Sequence, residues 1–316
     1  MSILISGSLV YDQIMVFPDK FKNHIMPDNI HILNVAFTVE KIVKSLGGTA
    51  GNIAYSIKML GAEPVVVSSV GSDGEKYLDN LKKQGIGVDS IHKDNEKFTA
   101  SCYITTDLDD NQITAFYNGA LGSCAGTESL IRDSVPQLSL AIISPTQKDV
   151  MIKHLRECAE EGMKVMFDPG QQITALNDEE LRYCIEKCYF LIGNDYEIKL
   201  IEKRLGQDGD DVLSKVMVLI TTQGENGAVI NAKGEGPVII RACQPEKVLD
   251  PTGAGDAWRA GFLTGYEKGF DLQICGQMGS VAASYAIEKY GTQEHKFGLN
   301  EFAERYEKTY TQKLVF

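Results

Sequence analysis

Asp250-Pro251-Thr252-Gly253-Ala254-Gly255-Asp256 is the stretch on which the reading of this chain turns. It follows a predicted strand end, Lys247–Leu249, and precedes an amphipathic run, Ala257–Tyr266. Pro251 closes the strand, and Gly253 and Gly255 leave backbone N–H groups without side-chain cover. The partial positive charge of a helix start adds to them, so Gly253, Ala254, Gly255 and Asp256 read as an anion hole for phosphate. Asp256 can cap that helix, which spacing alone favours. It can equally be a general base where phosphate is transferred. Other nucleotide signatures are absent. There is no G-x-x-x-x-G-K-[ST], and Trp258 stands where a dinucleotide fingerprint needs its third glycine. No H-R-D, D-F-G or G-x-S-x-G occurs. Asp107-x-Asp109-x-Asn111 mimics a calcium loop but carries Gln112 at the glycine position and Asn118 at the glutamate position.

Outward from this stretch, short apolar runs alternate with helical ones. Strands are expected at Ile3–Ile5, Pro64–Val70, Leu140–Ile143, Val165–Phe167, Tyr189–Ile192 and Val216–Thr221. Helical periodicity covers Ala50–Leu60, Gly74–Gln84, Lys148–Glu161, Asp178–Lys187, Asp195–Leu205 and Cys275–Lys289. Continuous apolar strands alternating with helices predict an α/β fold with a mostly parallel sheet covered on both faces. Ligands of such sheets bind beyond the carboxyl ends of the strands. Two segments break the rhythm. Asp12–Ser45 has no clear helix, and Thr99–Thr106 with Gln112–Tyr117 flank the hairpin turn Asp109-Asp110-Asn111. The two excursions are expected to pair into one small sheet, against the alternative of two surface loops.

Composition sets the surroundings. The 316 residues are 43% hydrophobic and 23% charged, ordinary for a globular chain, and the formal net charge is −12. That field opposes nucleic acid and anionic lipid, and no Lys/Arg run offsets it. Seven cysteines, an odd number without C-x-x-C, point to a reducing compartment; Cys184 and Cys188, at i and i+4, read as buried small hydrophobes. No apolar run reaches the ~18 residues of a membrane span, and the N-terminus reads as a strand rather than a signal peptide. A cytoplasmic protein with small-molecule partners is expected, with no nucleic-acid or membrane partner.

Four segments in order resemble the ribokinase-like (PfkB) sugar and nucleoside kinases. Gly47-Gly48-Thr49-Ala50-Gly51-Asn52 is similar to the family's G-G-x-x-x-N substrate motif, and Asn194-Asp195-Tyr196-Glu197 to its N-x-x-E motif. Thr222-Gln223-Gly224-Glu225-Asn226-Gly227 resembles the T-x-G-x-x-G nucleotide loop, and Gly253–Asp256 the G-A-G-D anion hole. The resemblance covers essentially the whole chain. It implies a three-layer ribokinase-like fold over 1–316, with a small β-sheet lid of about 12–45 and 98–121. The D-P-T-G-A-G-D form departs from the commoner D-T-x-G-A-G-D and resembles a subgroup of archaeal and bacterial nucleoside kinases. Asp110–Phe116 and Phe167-Asp168-Pro169-Gly170-Gln171 resemble that subgroup too.

The resemblance implies roles. Asp256 becomes the general base, with Gly253, Ala254 and Gly255 holding charge on the transferring phosphoryl. Asp12, Gly47, Gly48 and Asn52 would hold ribose hydroxyls. Gln112, Phe116 and Gln172, with Gln171, would meet a base. Thr222, Gly224 and Gly227 would line ATP, and Asn194 and Glu197 would organise Mg²⁺ through water. Arg259 would neutralise phosphate, against the alternative of a surface salt bridge. Residues 275–292 would wall the ATP base. Adenosine kinase activity is the leading expectation. A sugar kinase of the same family and a non-catalytic nucleotide-binding regulator are the alternatives. Activation by K⁺, and the choice between monomer and homodimer, stay open.

Overall fold

Alternate residues along the central strands feed two different cores, which is what gives the molecule three layers. In this computed structural model, residues 2–25, 34–109, 111–126, 131, 138–206 and 208–316 are described. Residues 26–33 of the expected lid and Asp110 of the hairpin turn lie outside them. In chain order the strands are β1 (Ser2–Ser6), β2 (Val10–Val16), β3 (Lys41–Gly47), β4 (Glu63–Val70), β5 (Ile91–Lys93), β6 (Ala100–Thr106), β7 (Gln112–Tyr117), β8 (Leu140–Ile143), β9 (Lys164–Phe167), β10 (Phe190–Asn194), β11 (Val218–Thr222), β12 (Ala228–Ala232) and β13 (Val238–Ile240). The helices are α1 (Thr49–Met59), α2 (Glu75–Lys83), α3 (Lys148–Glu160), α4 (Asp178–Lys187), α5 (Asp195–Leu205), α6 (Gly209–Lys215), α7 (Ala254–Glu267), α8 (Leu272–Ala286) and α9 (Leu299–Tyr310).

The large sheet runs β13-β12-β11-β10-β9-β8-β1-β4-β5. Its pairings from β5 to β11 are parallel, and β12 and β13 close it antiparallel. Ile3, Ile5, Phe190 and Ile192 join one core with Ile53, Ile57, Tyr77, Trp258 and Phe262. Leu4, Leu191, Ile143 and Phe167 join another with Leu155, Leu181, Ile198 and Ile201. Each fully buried Leu, Ile or Phe contributes about 1.5–3 kcal/mol relative to exposure. The period-2 alternation sends half of each strand to each helical layer. Three helices begin at reciprocal caps that the sequence provides: Asn177 with Glu180 at α4, Asn194 with Glu197 at α5, and Asp208 with Asp211 at α6.

The two non-helical excursions do pair. β3-β2-β6-β7 form a separate four-stranded sheet. Asp107, buried at the hairpin turn, accepts from the backbone N–H groups of Phe21, Asp109 and Asn111, all at 2.9 Å. That carboxylate stitches the turn together, which accounts for the calcium-loop mimicry without a metal.

Candidate active site

The G-A-G-D segment starts a helix, as its glycines indicate, but earlier than the apolar pattern does. Gly253 is the N-cap of α7 at φ 80°, so α7 begins at Ala254 rather than Ala257. Positive φ there suits glycine, and hydrophobic periodicity cannot register Ala254-Gly255. The predicted strand Lys247–Leu249 is absent. The backbone N–H groups of Leu249 and Asp250 go to Ile287 O at the end of α8, and that of Glu246 goes to Glu288, so the segment is fixed to α8 instead of a sheet. Asp250 braces the turn, accepting from Thr252 N at 2.9 Å and Gly291 N at 3.1 Å.

Asp256 lies in the first turn of α7 and does not cap it; no side chain does. Its Oδ2 instead accepts from Asn52 Nδ2, from α1, at 2.8 Å. Ala254 N donates to Pro251 O at 3.2 Å. The expected hole is therefore smaller than four amides. Among the described residues, the N–H groups of Gly253, Gly255 and Asp256 have no acceptor, as a helix start leaves them. Burial pushes the Asp256 carboxyl up to about 6, opposed by the Asn52 hydrogen bond and by Arg259, with Asp168 adding to the rise.

Arg259 does not form the surface salt bridge held as an alternative, because it is buried and engaged inside the protein. It is 7% exposed and paired with Asp168, itself 2% exposed. Arg259 Nε lies 2.6 Å from Asp168 Oδ2, and Nη2 donates to Oδ1 at 2.7 Å. Nη1 donates to Gly255 O at 3.0 Å. The guanidinium is turned into the protein and braces the first turn of α7.

The substrate-motif residues converge. Asp12 is not a turn residue; it sits mid-strand in β2, opposite Ser45 of β3 and Cys102 of β6. Its carboxylate lies against the Cα of Gly47, where a Cβ would come 2.0 Å from Oδ2. Gly48, at φ 88°, is the N-cap of α1 and packs on the Ser8 carbonyl. Asn52 follows one turn into α1. Burial first, then the nearby Asp250 charge, raise Asp12 to about 6. Cys102 in turn pairs with Phe116 of β7, so Asp12, Cys102 and Phe116 form one cross-strand row on one face. Phe116 is 51% exposed at about 10 Å, two strand spacings, from Asp12. Gln112 shares that face but pairs with Thr106, four residues along, about 13 Å from the row. Gln172 lies in the short turn Gly170–Thr174. The structure shows no contact joining either glutamine to Asp12 or Phe116.

The nucleotide-motif residues meet at the carboxyl ends of β10 and β11, on the β12 side of the large sheet. Asn194 and Thr222 end β10 and β11 as direct register partners. Thr222 Oγ1 reaches Gly193 O at 3.4 Å, and Gly224 and Gly227 bound the short turn into β12. Asn194 and Glu197 form a reciprocal cap: Glu197 N donates to Asn194 Oδ1 and Asn194 N to Glu197 Oε2, each at 2.8 Å. N-x-x-E thus has a structural role, with Glu197 Oε1 left over. Motif reading missed Tyr77 and Gln293 as supporting residues and gave no role to Asp168 and Asp250, which lie in quoted stretches. Tyr77 reads as core and Gln293 follows an unremarkable turn; only proximity in space marks them.

No helix among the described residues is long and apolar enough to cross a membrane. Residues 9–296 match the description of pfkB family carbohydrate kinases. A nucleoside kinase from Methanocaldococcus jannaschii is 35% identical over 283 residues, covering 87% of this chain and 90% of that one. A nucleoside kinase from Burkholderia thailandensis, solved in complex with inosine, superposes with a TM-score of 0.87 at 35% identity, covering 98% and 99% of the two chains. Ribokinase from Thermotoga maritima, 19% identical, shares the fold at a TM-score of 0.79 over 97% of this chain and 99% of that one. With its ribokinase-like fold and its four motifs gathered at the carboxyl ends of the strands, the chain belongs to the pfkB family of carbohydrate kinases.

Proposed function

We propose that the protein transfers the γ-phosphoryl group of ATP to the 5′-hydroxyl of a nucleoside, adenosine first. One observation carries the nucleoside reading: Asp12 and Phe116 stand in one cross-strand row, a carboxylate for ribose hydroxyls and an exposed aromatic for a flat base. The nucleoside kinases that resemble the chain support it. Asp256 takes the proton of the attacking hydroxyl, and the Gly255 and Asp256 amides meet charge on the transferring group. The small sheet excludes water from the hydroxyl being phosphorylated.

Adenosine, inosine, guanosine, cytidine, ribose and fructose, compared by kcat/KM in an ADP-release assay, test the reading. Nucleosides are expected to exceed both sugars by at least about tenfold, with adenosine leading. Ribose or fructose ahead of every nucleoside by that margin overturns it, and inosine or guanosine ahead of adenosine overturns only the base preference.

Mg²⁺ fits the nucleotide corner in a limited way. Among the described residues no cluster of three or more His, Cys, Asp or Glu is placed to hold a metal. Glu197 Oε1 beside the β10–β11 strand ends suits an ion that arrives on ATP and keeps most of its water shell. Bound there, the ion would neutralise phosphate charge. Asn194 and Glu197 position the start of α5, and Glu197 adds the negative charge. Glu197→Gln keeps the cap, since an amide oxygen also accepts from Asn194 N. It is expected to raise the Mg²⁺ needed for half-maximal rate several-fold, with Tm and the nucleoside KM within error of the parent. A large nucleoside effect at normal Mg²⁺ dependence would move Glu197 to the acceptor side.

A further inference from the structure

A buried line of side chains connects Asp256 to the root of the small sheet. Tyr77 Oη donates to Gly47 O at 2.6 Å. Gln293 Nε2 lies 3.0 Å from Tyr77 Oη and 3.1 Å from Asn52 Oδ1. Asn52 Nδ2 donates to Asp256 Oδ2 at 2.8 Å. Both ends of this line, a backbone carbonyl and a carboxylate, can only accept. A chain with two accepting ends needs a double donor within it, and the Gln293 amide nitrogen supplies both hydrogens. Its own Oε1 is buried with no partner among the described residues, so the two donated bonds are what hold the amide in place.

We propose that Gln293 is a positioning residue for the reaction: it holds the Asn52 amide with its nitrogen toward Asp256 and, through Tyr77, ties that amide to Gly47, where β3 passes into α1. The inference rests on Asp256 acting as the base. An asparagine amide has two nearly isosteric orientations. With nitrogen facing Asp256 it stabilises the carboxylate; turned over, it presents Oδ1 and favours the protonated acid. Gln293 Nε2 can bond only to Oδ1, so it selects the first. Charged and titratable neighbours leave this role to it. Arg259, on α7, is engaged by Asp168, beyond β9. Tyr77, on α2, has its hydroxyl in the line itself, and Asp12, on β2, lies on the Tyr77 side.

Gln293→Met keeps the volume and removes both donors. The Asp256 carboxyl, followed by ¹³C NMR in Asp-labelled full-length protein and assigned by its loss in Asp256→Asn, is expected to titrate about 0.5–1 pH unit higher than in the parent. kcat at pH 6.5 is expected to fall about two- to threefold from the lost ionised fraction, with the nucleoside KM within threefold. Tyr77→Phe, which keeps the ring and loses the hydroxyl that accepts from Gln293 and donates to Gly47 O, should move both readouts the same way by less. An unmoved Asp256 midpoint in both folded variants overturns the proposal whatever happens to Tm, because a merely structural glutamine would change stability alone. A moved midpoint with unchanged kcat overturns it as well. The underlying reading is separated by Asp256→Asn: near-parent turnover there removes the base, whereas an inactive Asp256→Asn with an unmoved midpoint in Gln293→Met removes only the relay.

Discussion

Asp256→Asn is expected to lower turnover by about 10²–10⁴-fold, the usual worth of general-base assistance, and at the same time to stabilise the fold at neutral pH. The carboxyl is raised to about 6 by burial, against about 3.9 in an unfolded chain. Such a group binds its proton more tightly when folded. Its contribution to stability is therefore complete below about pH 3.9 and is lost as pH rises through about 6. Above that, holding an ionised carboxylate costs on the order of 3 kcal/mol, which the neutral amide avoids while still accepting from Asn52. The Tm difference between Asp256→Asn and the parent should widen between about pH 4 and pH 6 and stay level above. Activity should show the same group from the other side. Asp12 is also raised to about 6, so kcat/KM should fall on the acid side more steeply than one proton allows. A folded Asp256→Asn within threefold of parent turnover would remove the base assignment, and a lower Tm at pH 8 would remove the electrostatic account.

Where sequence and structure agree, the signal was local. β10 and α5 were readable because an apolar run meets an Asn-x-x-Glu cap, and α1 because Gly48 starts it and Gly61 ends it. The small sheet was readable as two segments without helical period. What failed was also physical. Lys247–Leu249 has a strand-like look, but the N–H groups of Leu249 and the flanking Glu246 and Asp250 go to the end of α8, a partner that no pattern in the segment reveals. The four motifs name residues that would touch ligands. They are silent about Gln293 and Tyr77, which touch only other side chains. The partner of Arg259 was unreadable for the same reason. One turn into the G-A-G-D helix, an arginine reads as facing phosphate, and nothing nearby indicates that Asp168, 91 positions earlier, lies against it.

That pair gives the second large effect. Arg259 and Asp168 are both almost fully buried and are joined at 2.6 and 2.7 Å through two nitrogens of the guanidinium. Removing one partner of such a pair leaves an uncompensated charge inside the protein, at a cost of about 3–5 kcal/mol. Asp168→Asn and Arg259→Met are each expected to lower Tm by on the order of 10 °C. Replacing both residues together, with neither charge left, should recover much of the loss, because the penalty lies in the orphaned charge more than in the missing attraction. Arg259→Lys should recover little, since an ammonium cannot make the paired contacts of the fork. The kinetic pattern separates this account from phosphate binding. Arg259 Nη1 also holds Gly255 O in the first turn of α7, so kcat should fall in Arg259→Met as that turn loosens, while the KM for ATP changes little in whatever fraction remains folded. A Tm near the parent's with a KM for ATP raised tenfold or more would show the guanidinium facing the nucleotide instead. The double replacement is the sharper discriminator. A phosphate ligand lost together with Asp168 would leave ATP binding as poor as in Arg259→Met alone, whereas a structural pair replaced as a unit restores the start of α7 that Arg259 braces.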